Sequence, residues 1–497
     1  MLSASSLLAE RDPYRTRVAL LEEGRLTELF VERNDERGVV GDVYKARVNR
    51  VLPGMQAAFL DIGLGRDAFL HVDDLRERFQ ELEDVEPEAE EEDETAAVAS
   101  SIEELLRPGV EVLVQVVKDP VSSKGARVTT HVTLPGRFLV VAPLGAHLGV
   151  SRRIEDPGER SRLRELVAGL PPVGWIVRTA GEGQDRSTLE ADARSLLARW
   201  ERIRASAEAT TAPGRVHREL GVALRVVRDR FGPEFEALWV EGDDLHEEIL
   251  AFLEESEPSL AGLVRRHRRD RSLFETFGVE EAIEEALHPR VWLESGGYLV
   301  IQPTEALVAI DVNTGRFVGS EDLERTILAT NLEAVREIVR QIRLRNLGGI
   351  LILDLIDMTD PAHRDQVFAA LTAELRRDRA RSRVLGISEF GLVEITRKRS
   401  RPSLERSLTV ACPYCDGQGR IRSLGTIVFS LRRELLGRGT PAGARELLLR
   451  VHPDVGGALQ GESKAVLQEL EQRLGARLLI RTDPGLHHER FEILEVR

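Results

Sequence analysis

The sequence predicts a mixed α/β (α+β) protein of several domains, and three observations predict it. Its 497 residues are about three times the ~150 of an ordinary domain. Residues 41–75 alternate apolar and polar with period two, as short half-buried strands do. Residues 292–400 place apolar strands around an amphipathic helix, the pattern of an α/β unit. With 42% hydrophobic residues, the chain can fill such cores.

The first predicted element is a strand pair, TRVALLEEGRLTELFVER, at 16–33. In DVYKARVNRV, Tyr44, Ala46 and Val48 then point one way and Lys45, Arg47 and Asn49 the other. A turn at Pro53-Gly54 leads to a strand with Ala58, Leu60 and Ile62 inward, which leaves Phe59 on the wet face beside Asp61. RDAFLHV repeats the pattern, with Ala68, Leu70 and Val72 inward and Phe69 outward. VEVLVQVVKD (110–119) closes the set, and five or so short strands fit an OB-type barrel. Two aromatics on a basic face make a stacking platform for unpaired bases; the competing reading packs them under a neighbouring domain.

Between these strands, residues 81–104 carry twelve acids and no base, a solvated acidic insertion. Without it the net charge of −15 becomes −15 + 12 = −3, so the acidic total does not exclude a polyanion partner. Arginine clusters at Arg265, Arg266, Arg268, Arg269 and Arg271, and 376–406 hold ten bases against four acids. No apolar run reaches the ~18 residues of a membrane span, and MLSASSLLAERDPYR lacks a secretory leader's basic and apolar regions. With Cys412 and Cys415 the only cysteines, a disulfide scaffold is excluded. A cytoplasmic protein is expected.

Residues 120–220 read as mixed strands and helices, and 187–288 as helical. The strand GWIVRTAGEG ends on Arg178-Thr179, a guanidinium, a hydroxyl and bare amides suited to a terminal phosphate. A plain strand-to-helix turn explains it equally. Further on, EALVAIDVN closes on Asp311, NLEAVREIVRQIRLRN is an amphipathic helix stopped by Gly348-Gly349, and ILILDLID closes on Asp354. Asp360-Pro361 then opens a second helix as N-cap and first residue.

Two adjacent strands ending in Asp311 and Asp354 put carboxylates where α/β sheets bind ligands. Such a pair suits Mg²⁺, which takes one or two carboxylates and leaves other positions to water and phosphate. Asn313 shares a face with Asp311, Asp357 is a further acid, and Arg340, Arg343 and Arg345 lie near in sequence. Caps or turns are the structural alternative for each aspartate. In Cys412-Pro-Tyr-Cys415-Asp-Gly-Gln-Gly two thiolates sit on a glycine turn, half of a zinc site. No further Cys and no His within thirty residues completes it, so two chains sharing one zinc are expected. A redox CxxC competes, without a thioredoxin-like βαβ context evident around it.

Asp311-Val-Asn313-Thr-Gly315-Arg316-Phe317, RQIRLRNLGG, ILILDLIDM and CPYCDGQG occur in this order. In these motifs, and over nearly its whole length, the chain resembles the bacterial ribonuclease E/G endonucleases, especially the ribonuclease G type. The resemblance implies a Mg²⁺-dependent endoribonuclease that cuts single-stranded A/U-rich RNA, leaves 5′-monophosphates and serves rRNA and tRNA processing and mRNA decay. It implies Mg²⁺ on Asp311 and Asp354 with Asn313 in support, and RNA contacts at Phe59, Phe69 and Lys124. Arg178 and Thr179, with Arg152 and Arg153 beside them, match a 5′-monophosphate sensor. Cys412 and Cys415 match a zinc shared between subunits of a homodimer or homotetramer. The implied layout is an RNase H-like subdomain (1–36 plus 223–286), an OB-fold RNA-binding domain (37–130, with the acidic insertion 81–104) and a sensor (131–222). A DNase I-like catalytic subdomain (287–408), a zinc link (409–421) and a small C-terminal domain (422–497) follow. The short tail after the cysteines argues against a degradosome scaffold. A non-catalytic RNA-binding assembly factor and a small-molecule phosphatase are the alternatives; the aspartate pair counts against the first, the barrel and Arg runs against the second.

Overall fold

The computed structural model describes residues 5–35, 37–75, 101–120, 124–315, 323–388, 391–399, 401–439 and 445–495. Most of the acidic insertion, together with Arg316 and Phe317, lies outside them. The chain divides into two compact units, 1–407 and 408–497.

The first unit begins with a five-stranded sheet in the order Val264–Arg266, Phe235–Glu241, Ser5–Arg11, Arg15–Glu22, Arg25–Arg33. The expected hairpin is present, turning at Glu23 and Gly24, both at positive φ. Its neighbour is Ser5–Arg11, which pairs parallel to Phe235–Glu241. The chain therefore leaves this sheet, builds other structure and returns to it. Reading 187–288 as helical misses Phe235–Glu241, whose Leu238 and Val240 are fully buried between parallel neighbours. A short apolar run of that kind looks the same in a buried helix.

The excursion contains the barrel. Val43–Leu52, Ala57–Asp61, Ala68–His71, Arg127–Thr129 and Glu111–Lys118 pair in that order, and the last closes on the first. Alternation sets the interior as expected: Tyr44, Ala46, Val48, Ala58, Leu60, Ile62, Ala68, Leu70 and Val72 are all buried. Each buried leucine here contributes about 2–3 kcal/mol of transfer free energy. A four-stranded sheet follows, with helices Pro157–Ala168 and Arg186–Ala209 capped by Asp156 and Asp185.

A six-stranded sheet completes the unit, ordered Arg290–Trp292, Tyr298–Pro303, Leu307–Asn313, Gly349–Asp354, Leu392–Arg397, Ser382–Ile387. Helices Leu323–Leu344 and Pro361–Leu375 cover one face, burying Val335, Ile338, Val339, Ile342, Val367 and Leu371 on Ile310, Leu351 and Leu353. Asp360 caps the second helix, accepting from the Ala362 N–H at 2.8 Å. The first helix ends at Leu344, four residues before the expected Gly348-Gly349 stop: Asn346 takes the left-handed conformation, at φ +47°, and Leu347 N–H bonds back to the Ile342 carbonyl. Gly348 serves another need, since a Cβ there would lie 2.4 Å from the Arg399 side chain.

The second unit has a three-stranded sheet, Arg477–Thr482, Glu446–Val451, Phe491–Glu495. Helices Leu424–Arg438, Pro453–Gln460 and Lys464–Leu474 pack on it through Leu431, Leu459 and Leu470.

Candidate active site

Asp311 and Asp354 are direct partners across the parallel pair Leu307–Asn313 and Gly349–Asp354. Both are exposed on the face of the sheet away from the helices. Asn313 donates Nδ2–H to Asp311 Oδ2 at 2.8 Å and so fixes that carboxylate's rotation. Desolvation, and then the charges of Asp311 and Asp357, hold the Asp354 carboxyl above the usual aspartate range. Asp357 presses against Gly391, where a Cβ would sit 3.1 Å from its Oδ1. Crowded all-oxygen carboxylates facing solvent fit a hard divalent cation, which removes the like-charge penalty. Asp311 and Asp354 could hold it directly.

Arg340, Arg343 and Arg345 do not join this site. They lie at the far end of helix Leu323–Leu344, at the opposite end of the strands from the aspartates. Arg343 pairs with Glu22 and Glu28, Arg340 with Glu337 and the Leu26 carbonyl, and Arg345 donates to Gln341. Arg340 and Arg343 thereby join the N-terminal hairpin to the six-stranded sheet's helix, and Arg345 braces that helix's own last turn.

Arg178 and Thr179 stand at the end of strand Gly174–Val177 and line a cavity of about 760 Å³. Arg178 donates to the Gly136 carbonyl at 2.6 Å and to Asp229 at 2.7 Å. The Thr179 hydroxyl meets that of Ser151 at 3.0 Å. Arg153 also lines the cavity and donates to the Asp378 carbonyl, whereas Arg152 is exposed and outside the lining. Arg379, Arg397 and Arg401, from the basic 376–406 stretch, line it too. Burial, and then the charge of Arg230, push Arg379 down to about 10; burial likewise takes Arg401 to about 10. Arg379 still reaches solvent and Arg401 is half-buried, and guanidiniums crowded in this way gain from an anion.

On the barrel, Phe59 and Phe69 are cross-strand partners, half-buried and outside the cores, with ring centroids 5.8 Å apart. The Arg50 guanidinium lies 5.4 Å from the Phe59 ring. Lys124 is exposed, two residues before Ala126, whose carbonyl accepts the Phe69 N–H. Gly125 allows this approach, since a Cβ would fall 1.9 Å from the Asp67 carbonyl oxygen.

In the second unit, the Gly419 N–H points at Cys415 Sγ, 3.2 Å away. Backbone N–H groups of Cys415 and Tyr414 and the Cys415 thiol hold Cys412 below the usual thiol value. Counting ligands along the sequence missed what the fold brings here. The Tyr414 ring lies 4.1 Å from that of His487, and its hydroxyl bonds His488. His452, Asp454 and His488 present ligand atoms all within 4.8 Å of one another, a second place that could take a metal ion. The only signal in the sequence was the His487-His488 pair itself.

Residues 133–400 match the model of the Ribonuclease E/G family, and 411–496 that of an "RNase E/G, Thioredoxin-like domain". The chain is 41% identical to ribonuclease G of Escherichia coli K12 over 492 residues, 99% of both chains. The chain belongs to the ribonuclease E/G family. It is also 39% identical to ribonuclease G of Haemophilus influenzae, over 99% of this chain and 100% of that one. To ribonuclease E of a Nostoc species it is 39% identical over 407 residues, 81% of this chain and 57% of that protein. The second match corrects the expectation of no thioredoxin-like context: Glu446–Val451, two helices and the parallel strand Arg477–Thr482 form a βαβ unit. The cysteines precede it, in the turn before helix Leu424–Arg438, rather than at a strand-to-helix step within it. Among the described residues no helix is long and apolar enough to cross a membrane.

Proposed function

We propose that the chain is an endoribonuclease that hydrolyses single-stranded, A/U-rich RNA at Asp311 and Asp354. The observation that carries this reading is the carboxylate pair in register on adjacent strands, with Asn313 bonded to one of them. These aspartates would hold Mg²⁺, which when bound polarises a phosphoryl oxygen and lowers the pKa of an attacking water. Asn313 keeps the Asp311 carboxylate turned for that work, as an outer partner of a ligand does. Phe59 and Phe69 stack bases of the strand and Lys124 pairs with its backbone. Arg178 and Thr179, with Arg153 beside them, receive a 5′-monophosphate, whose charge the guanidinium crowding favours. Cleavage leaves 5′-phosphates on the downstream product. Cys412 and Cys415 share a zinc with a second copy, making a homodimer or homotetramer. The ribonuclease G and E relatives support a role in RNA processing, and within it we assign the chain to rRNA and tRNA maturation and mRNA decay. Incubating a single-stranded RNA with Mg²⁺ tests the reading: internal cuts should vanish with chelator and fall at least about a hundredfold in Asp354→Asn. Undiminished cutting by that variant would retire the carboxylate mechanism.

A further inference from the structure

The open face of the six-stranded sheet carries an aromatic patch beside the carboxylates that no core uses. Trp292 is paired with Tyr298, and Tyr298 with Asn313. One step along the strands, Arg290 is paired with Val300, and Val300 with Asp311. Directly opposed residues share a face, so Arg290, Trp292, Tyr298, Asn313 and Asp311 all look outward together. The alternate residues Leu299, Ile310 and Val312 are buried in the core beneath. Two strand spacings, about 10 Å, separate Trp292 from Asn313.

Trp292 is 62% exposed. Its ring lies 5.3 Å from that of Tyr298, and the Arg290 guanidinium sits 4.6 Å from the Tyr298 ring and 5.8 Å from the Trp292 ring. Strand Arg290–Trp292 is the edge of the sheet. Protecting an edge calls for charge or a short strand, not for an open indole. An aromatic face presented to solvent, with a cation alongside and a phosphodiester site within a nucleotide or two, has the parts of a single-strand stacking platform.

We propose that Trp292, backed by Tyr298, stacks an unpaired base of the RNA lying across Asp311 and Asp354, with Arg290 meeting the adjoining phosphate. This rests on the reading that those carboxylates face the RNA strand. The site takes a nucleobase without reading its identity, because every base offers a π-face.

The test uses the full chain in the Asp311→Asn background, so that binding is read apart from cutting. A labelled single-stranded RNA and a set of otherwise identical RNAs, each lacking one base, are titrated by anisotropy. Trp292→Ala should weaken the intact RNA about 5- to 100-fold, the stacking range, and Trp292→Phe should recover most of it. One base-less RNA should bind Trp292-containing protein that much more weakly and bind the Trp292→Ala protein no worse than the intact RNA. Equal effects of Trp292→Ala on every RNA, or none, would overturn the subsite. A change of oligomeric state with an unaltered base scan would assign the patch to a second copy instead. Loss of cutting in Asp354→Asn bears only on the carboxylate mechanism, so the two readings fail separately.

Discussion

At the scale of residues, the site depends on small orienting contacts. Asn313 holds Asp311 through one 2.8 Å bond, so Asn313→Ala should lower kcat about 10- to 100-fold with the fold intact; steady-state kinetics and a thermal melt measure the two. Asp229 ties down Arg178 in the cavity, and although burial opposes its charge, Arg228 and then Arg178 hold it down to about 2. A depressed carboxyl lends stability above its unfolded value near ~4 and loses it as pH falls toward the folded value. The melting temperature should therefore drop as pH falls from about 4 to 2, and Asp229→Asn should flatten that slope. The aspartate pair was legible in the sequence because each residue ends an apolar strand. The histidines near Tyr414 were not, because only the fold brings His452, His487 and His488 to that turn.

At the scale of elements, period and caps carried most of the information. The barrel interior followed from alternation, and the Asp360-Pro361 helix start followed from capping chemistry. Elements set by distant partners did not follow. Ser5–Arg11 and Phe235–Glu241 are strands because they lie against each other and their neighbours, and neither has alternation strong enough to announce it. The end of helix Leu323–Leu344 was misplaced because asparagine, not glycine, supplies the left-handed residue. Gly125 shows the same limit: only the Asp67 carbonyl 1.9 Å from an added Cβ explains it. Gly125→Ala should destabilise the barrel by about 1–3 kcal/mol and weaken RNA binding while leaving the aspartates untouched. Urea unfolding and RNA titration of that variant check both halves.

At the scale of the whole molecule, buried ion pairs join separate sheets within the first unit. Arg343 meets Glu22 and Glu28, and all three side chains are largely buried. Arg343→Met removes the cation that bridges the two carboxylates, leaving Glu22 to Arg377 and Glu28 to Arg230, and should cost at most about 3–5 kcal/mol, read by denaturant unfolding. In sequence these arginines looked like companions of the aspartates, because spacing along a helix does not show which end faces the site. The thiolate pair makes a further prediction. On the proposed shared zinc, chelation or Cys412→Ser should shift the protein to a smaller particle in sedimentation, while an unchanged size would contradict the link.

Whether the aspartates cut RNA is decided by a single comparison. A short A/U-rich RNA bearing either a 5′-monophosphate or a 5′-hydroxyl is incubated in Mg²⁺ with the protein and with its Asp311→Asn variant. Internal cleavage by the unaltered protein alone, faster on the monophosphate, is the predicted result. Binding without cleavage, alike in both proteins, would contradict it and leave an RNA-binding factor built on the same fold.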